Sequence, residues 1–321
     1  MDSINTELTK MLGIRYPIIM APMFLVSNTK MIIEGIKSGI TGAIPALNYR
    51  TGKELRDAIL EIKAECDGPF GINLIVNKSN LKLNDQLEAC VSLGVDFIIT
   101  SLGSPEKVIQ ACKPKGIKVF CDVVDLEYAK KVEALGADAL IAVNKEAGGH
   151  AGPTPASQLI PTLKKECGIP VISAGGVGRG EHLKEKLALG ACGISMGSPF
   201  IASSEAGVSK EYKEAVVNYG AKDIVMSTKL SGTPCSVINT PYVQKIGHKQ
   251  NALESFLGKN KKFKKFVKML TFYKGMKSLE KAAFSATYKT VWCAGPSIEY
   301  VNEIKPISGI VSSLINQYKS A

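Results

Sequence analysis

Along the first two hundred residues, apolar runs of mostly four to six positions alternate with stretches in which apolar residues recur every three or four. The runs fall at residues 16–20, 41–44, 70–75, 96–100, 117–122, 138–143, 171–174 and 193–196. Continuous apolar character over so short a span predicts parallel strands covered on both faces. The intervening stretches predict helices over 29–38, 51–66, 84–93, 105–112, 126–135, 156–166 and 181–189. In 51–66, Leu55, Ile59 and Ile62 share one face. Pro105 opens its stretch, where a fixed φ suits the first helical residue. Gly39, Gly94, Gly136, Gly168 and Gly190 stand just past helical stretches as stop signals. A further helix is expected over 205–219 and a last one over 307–318.

Eight strand-helix rounds predict an α/β fold, with a closed (β/α)8 TIM barrel favoured over an open sheet. The phrases SLGVDFII at Ser92, EALGADALI at Glu133 and LALGACGIS at Leu187 are successive helix-to-strand turns of that plan. The barrel core is expected over residues 1–220. The alternation stops there, so residues 221–296 predict a small helical insertion forming a cap over the substrate region. SGTP at Ser231 and NTP at Asn239 mark turns in it. A basic amphipathic helix is expected further on, with Phe263, Phe266, Val267 and Leu270 on one face and Lys261, Lys262, Lys264, Lys265 and Lys268 on the other. Residues 297–321 return to the outside of the barrel.

Composition changes this picture little. The chain has 321 residues, 45% hydrophobic and 21% charged, as expected of a soluble domain with a large core. No apolar run is long enough for a membrane span. Residues 17–26 hold Pro17 and Pro22 and read as a strand and its turn, not a leader. Eight scattered cysteines without a CxxC pair point to reduced thiols and a cytoplasmic protein, with no disulfide frame or zinc site. The net charge of +11 is concentrated: residues 245–281 carry eleven lysines against Glu254 and Glu280. The aromatic residues there fall on the apolar face, where core packing explains them better than base stacking, so no nucleic-acid partner is expected. P-loop, Rossmann, nucleophile-elbow and metal-ligand spacings are all missing.

In such a barrel, chemistry collects at the C-terminal strand ends. The seventh strand ends in Ala174, Gly175 and Gly176, and the eighth in Met196, Gly197 and Ser198. Bare glycine amides backed by a helix start can hold a phosphate, commonly at these two strand ends. The first strand ends at Ala21, Pro22 and Met23, the third carries Asn73, the fourth leads to Ser101 and the fifth ends at Asp122. The sixth leads into Lys145 and the loop EAGGHAG, where Gly148, Gly149 and His150 let a titratable ring approach a flat ligand. His182 and His248 read as surface residues. The residues alone also leave open a non-redox barrel that binds a phosphorylated ligand.

YPIIMAPM, GINL at Gly71, EAGGHAG at Glu146, SAGGVGRG at Ser173 and ALGACGISMGSPFIASSEA at Ala188 occur in an order that resembles the nitronate monooxygenase (2-nitropropane dioxygenase) family. AGPS at Ala294 stands where that family commonly carries an AGQ-like phrase. The resemblance implies FMN across the barrel mouth. Ala21, Pro22 and Met23 would line its ring, and Asn73 would hydrogen-bond it. Gly175, Gly176, Gly197 and Ser198 would hold its phosphate, and His150 would be the catalytic acid–base group. Asp122, Lys145, Gly148, Gly149, Ala174 and Met196 stand at the same strand ends and complete the expected cofactor site. The implied reaction is oxidation of a nitroalkane or nitronate by O2. The same motifs resemble flavin-dependent enoyl-acyl-carrier-protein reductases, which use NAD(P)H and an acidic carrier protein; quinone reduction is a third expectation on this scaffold. The lysine-rich segment would suit such a carrier.

Overall fold

The computed structural model describes residues 3–228, 234–249 and 291–321. Eight parallel strands close a barrel: β1 (Ile18–Met20), β2 (Thr41–Pro45), β3 (Gly71–Ile75), β4 (Phe97–Ser101), β5 (Lys118–Val123), β6 (Ala139–Val143), β8 (Val171–Ala174) and β9 (Gly193–Met196). β9 returns to β1 through the pairs Ile18–Ile194, Ile19–Ser195 and Met20–Met196. The expected (β/α)8 barrel is the fold, and every apolar run became one of its strands. The two-residue strand β7 (Gly149–His150) lies outside the barrel.

The helices that cover it follow the expected stretches: α2 (Thr29–Lys37), α3 (Gly52–Glu65), α4 (Leu83–Leu93), α5 (Glu106–Cys112), α6 (Leu126–Ala134), α7 (Ala156–Glu166) and α8 (Gly180–Ala188). α3 buries Leu55, Ala58, Ile59 and Ile62, the face its spacing predicts. The C-terminal helix Ile307–Ser320 packs between α8 and α2 and completes the outer ring.

Strand pleating alternates side chains between the barrel interior and the helix layer. Inward-facing Ile19, Phe97, Ile99, Phe120, Ile141 and Ile172 form one buried cluster, with the Phe97 and Phe120 rings stacked at 5.1 Å. Leu8, Leu12 and Ile14 join it from below. Leu8 and Leu12 belong to α1 (Glu7–Leu12), a one-and-a-half-turn helix that the sequence pattern did not reveal. Thr6 starts α1 with a capping box to Thr9.

Two further differences concern the second half. The helix expected from Glu205 starts at Lys210 as α10 (Lys210–Asn218), capped by Ser209. The preceding residues are held by tertiary bonds: the Glu205 carboxylate accepts from Ile307 N at 3.2 Å, and its carbonyl accepts from Asn28 Nδ2 at 3.0 Å. A four-residue helix, α9 (Ser198–Ile201), comes before them. Within 221–296 the described residues include two unexpected strands, β10 (Ile224–Ser227) and β11 (Cys235–Ile238), and one short helix, α11 (Pro241–Ile246). β10, β11 and β7 form an antiparallel sheet. β8 and β9 are just as short, but β10 and β11 stand outside the regular strand–helix alternation that marked the barrel strands. The basic amphipathic helix around Phe263 and Ser231 of the SGTP turn lie outside the described residues.

Candidate functional site

All the candidate residues stand on the C-terminal rim of the barrel. The loops after β1 and β9 meet there. Ala21 N donates to Met196 O at 2.8 Å, and Gly197 is so close to Ala21 and Met23 that a Cβ on it would lie 3.4 Å from Ala21 Cβ and 3.3 Å from Met23 Sδ. Ala21, Pro22 and Met23 are half-buried, while Met196 and Ser198 are buried.

Across the mouth, β3, β4 and β5 contribute a hydrogen-bonded row. Asn73 Nδ2 donates to Ile99 O at 3.1 Å and to Ser101 Oγ at 2.8 Å; Ser101 Oγ donates to Asp122 Oδ2 at 2.5 Å. Ser101 and Asp122 lie two residues beyond Ile99 and Phe120, so the pleat turns them to the same interior. Burial pushes the Asp122 carboxyl up to about 6, against the lowering effect of the Ser101 bond.

The histidine loop is built from three sides. Asn144, fully buried, accepts from Glu146 N through Oδ1 at 2.8 Å and donates to Gly175 O at 3.2 Å. It ties this loop to the glycine turn, and sequence reasoning missed it. Gly148 lies against the AGPS segment, and a Cβ there would be 2.7 Å from Gly295 N and 2.9 Å from Ser198 Oγ. Gly295 N donates to that same Ser198 Oγ at 2.8 Å. On the third side, Gly149 and His150 pair with Ser236 and Cys235 of β11. His150 therefore sits on a fixed strand. It is exposed at the mouth, yet enough protein surrounds it that desolvation lowers its pKa below the usual imidazole value. Lys145 has an exposed side chain, and only its backbone, donating to Thr154 O at 2.9 Å, is held.

Beyond Ala174, Gly175 and Gly176 have φ of +111° and +78°, which residues with a Cβ adopt only with strain. A Cβ on Gly175 would lie 2.5 Å from Ala147 N. The Glu146 carboxylate covers Gly176 and is 3.9 Å from the buried Lys186 ammonium, which also meets Glu185 at 3.1 Å. Glu146 was legible at the rim as the first residue of EAGGHAG, but its cover over Gly176 was not, and Lys186 was not legible there at all. Clefts of about 390 and 320 Å³ lie at the opposite end, around residues such as Gly13, Arg15 and Lys115, and contain none of the candidate residues. Among the described residues there is no cluster of metal-ligating side chains, and no helix is long and apolar enough to cross a membrane.

A closed barrel that gathers glycine turns, a titratable histidine and a buried polar row at its C-terminal rim has the architecture of an enzyme. The family model of nitronate monooxygenase matches residues 5–317, and the chain belongs to that family. It is an oxidoreductase. The chain is 30% identical over 251 residues to "(3aS,4S,5R,7aS)-5-hydroxy-7a-methyl-1-oxo-octahydro-1H-indene-4-carboxyl-CoA dehydrogenase" of Rhodococcus jostii, covering 78% of this chain and 70% of that one. It is 26% identical over 298 residues to a probable nitronate monooxygenase of Staphylococcus saprophyticus, covering 79% and 84%. The structure of FabK from Thermotoga maritima superposes with a TM-score of 0.87 at 29% identity, covering 99% of this chain and 97% of that one.

Proposed function

We propose that the chain is an FMN-dependent oxidoreductase that oxidises nitroalkanes or their nitronates with O2 to a carbonyl compound and nitrite. The observation that carries this reading is His150 on a strand fixed at the open mouth, with a pKa lowered by desolvation. The rim fits FMN by its chemistry. The glycine turn at Gly175–Gly176 and the Gly197–Ser198 segment offer main chain without bulky side chains for the phosphate. The ring would lie on Ala21, Pro22 and Met23, beside Asn73. The flavin supplies a reversible electron acceptor that side chains lack. The Glu146 carboxylate must turn from Gly176 towards Lys186 when a phosphate is seated, because like charges cannot share the turn.

His150 does the proton work. The lowered pKa leaves its imidazole neutral at pH 7, ready to remove the α-proton of a neutral nitroalkane. The imidazolium then formed lies beside the nitronate it has made, and that pairing offsets its desolvation. Asn144 and β11 keep the histidine loop in register with the glycine turn throughout. The enzyme acts in the cytoplasm on a small-molecule substrate, and residues 221–296 shape the substrate region. The pairing of β11 with β7 supports that role for the insertion.

A second reading keeps the cofactor and changes the donor: an NAD(P)H-linked reductase of an enoyl group on an acidic carrier protein, or of a quinone. It is favoured by the likeness to FabK, which extends over nearly the whole chain. His150 would then deliver a proton. Stopped-flow mixing separates the two. Bleaching of bound flavin by a nitronate, with no response to NADH or NADPH, is the expected result; rapid bleaching by either nicotinamide overturns it in favour of the reductase. Protein that stays colourless with added FMN would leave a non-redox phosphate-binding barrel.

A further inference from the structure

We propose that Asp122, acting through Ser101, is a positioning residue that locks Asn73 as a hydrogen-bond acceptor for a ligand on the barrel axis, and that protonation of Asp122 releases the lock. The identity of the ligand, a flavin ring with its N–H, rests on the FMN reading above; the relay itself rests on three side chains.

The polarity follows from counting protons. A serine hydroxyl has one, and an ionised carboxylate can only accept. With Asp122 ionised, Ser101 spends its proton on Oδ2, 2.5 Å away. Ser101 Oγ must then receive the 2.8 Å bond from Asn73 Nδ2. The second amide proton goes to Ile99 O at 3.1 Å, a carbonyl that also can only accept. Both amide donors are consumed. Asn73 Oδ1 accepts no bond from the described residues, so what this buried side chain offers a ligand is an acceptor alone.

A protonated Asp122 reverses the first step. Its own O–H must be donated, and Ser101 Oγ is the acceptor in reach. The serine proton is then released to compete for the lone pairs of Asn73 or the ligand. The rim no longer presents a lone acceptor, and a ring N–H loses affinity. The groups that feel the Asp122 charge are Cys121 on its own strand and Tyr128 on α6. Burial pushes both up, Cys121 to about 12, so neither is charged between pH 5 and pH 8. The shift of Asp122 comes from burial and Ser101, with no lysine, arginine or histidine contributing. Its position near 6 puts the release within an accessible range.

The test is flavin affinity against pH, read by fluorescence quenching and so independent of turnover. Riboflavin is used beside FMN because the FMN phosphate itself ionises near pH 6. Between pH 7.5 and pH 5, the wild type should lose about three- to tenfold in riboflavin affinity, the worth of one hydrogen bond. Asp122→Asn carries no titrating proton, so its riboflavin affinity should not change across the range. Ser101→Ala cuts the relay and should stay at the weak level. A flat wild-type profile, or a pH step that survives in either variant, overturns the relay while leaving the FMN reading intact. A chain that binds neither flavin at any pH overturns the FMN reading and the ligand part of this proposal with it.

Discussion

At its N-terminal end the barrel is shut: Leu8, Leu12 and Ile14 sit beneath Phe97, Phe120 and Ile172 in one apolar cluster. At its C-terminal end the same strands, continued by two residues, turn Ser101 and Asp122 inward in place of Ile99 and Phe120. One pleat thus carries two materials. The lower layers exclude water and hold the eight strands together. The upper layer keeps buried polar atoms, each needing a partner, and accepts a carboxyl whose ionisation the surroundings resist. The barrel can tolerate that layer because the lower half supplies the stability.

Changes at the two ends should therefore separate stability from activity. Phe120→Ala removes a stacked ring from the filled half and should cost about 3–5 kcal/mol, read from the denaturant midpoint. A cost below 1 kcal/mol would mean that the lower cluster is not what holds the barrel. At the other end, His150→Ala should lower turnover at least about 10²-fold, with flavin still bound and the midpoint unmoved. In the wild type the acid limb of that rate should lie below the usual imidazole value of about 6.5, since desolvation lowers this pKa.

Asp122→Asn tests the cost of the upper layer. The folded pKa of Asp122 is raised to about 6, so the folded chain binds this proton more tightly than the unfolded one. Its contribution to stability is present in full below about pH 4 and is lost as pH rises through 6. The variant should therefore gain on the wild type by about 1–3 kcal/mol at pH 8 and show no gain near pH 4. Denaturant midpoints at the two pH values measure this. The smallest effect should come from Glu146→Gln. Removing a half-exposed carboxylate from Gly176 should tighten FMN binding only a few-fold, while riboflavin, without a phosphate, should be unaffected.

Much of this could be read in the chain. The eight strands were legible because a strand covered on both faces must be apolar throughout, and the helices because their buried faces repeat every three to four residues. The rim followed from the strands: once the ends of β6, β8 and β9 were located, EAGGHAG, SAGG and MGS had to face one another. What escaped was short or depended on a distant partner. α1 has six residues and β7 has two, while β10 and β11, as short as β8 and β9, lie outside the strand–helix alternation and form a sheet with β7 far along the chain. Asn144 and Glu146 look like ordinary loop residues until Gly175, Gly176 and Lys186 are brought beside them.

Sequence periodicity alone determined the barrel, its eight strands and the segments that line its mouth, because each of those depends on contacts that repeat locally along the chain. Only the tertiary structure decided that β11 fixes His150 and that Ser101 joins Asn73 to Asp122. Those contacts join residues 21 to 85 positions apart. A hydrogen bond acts over about 3 Å, so no pattern along the chain could declare it before closure of the barrel brought the strands side by side.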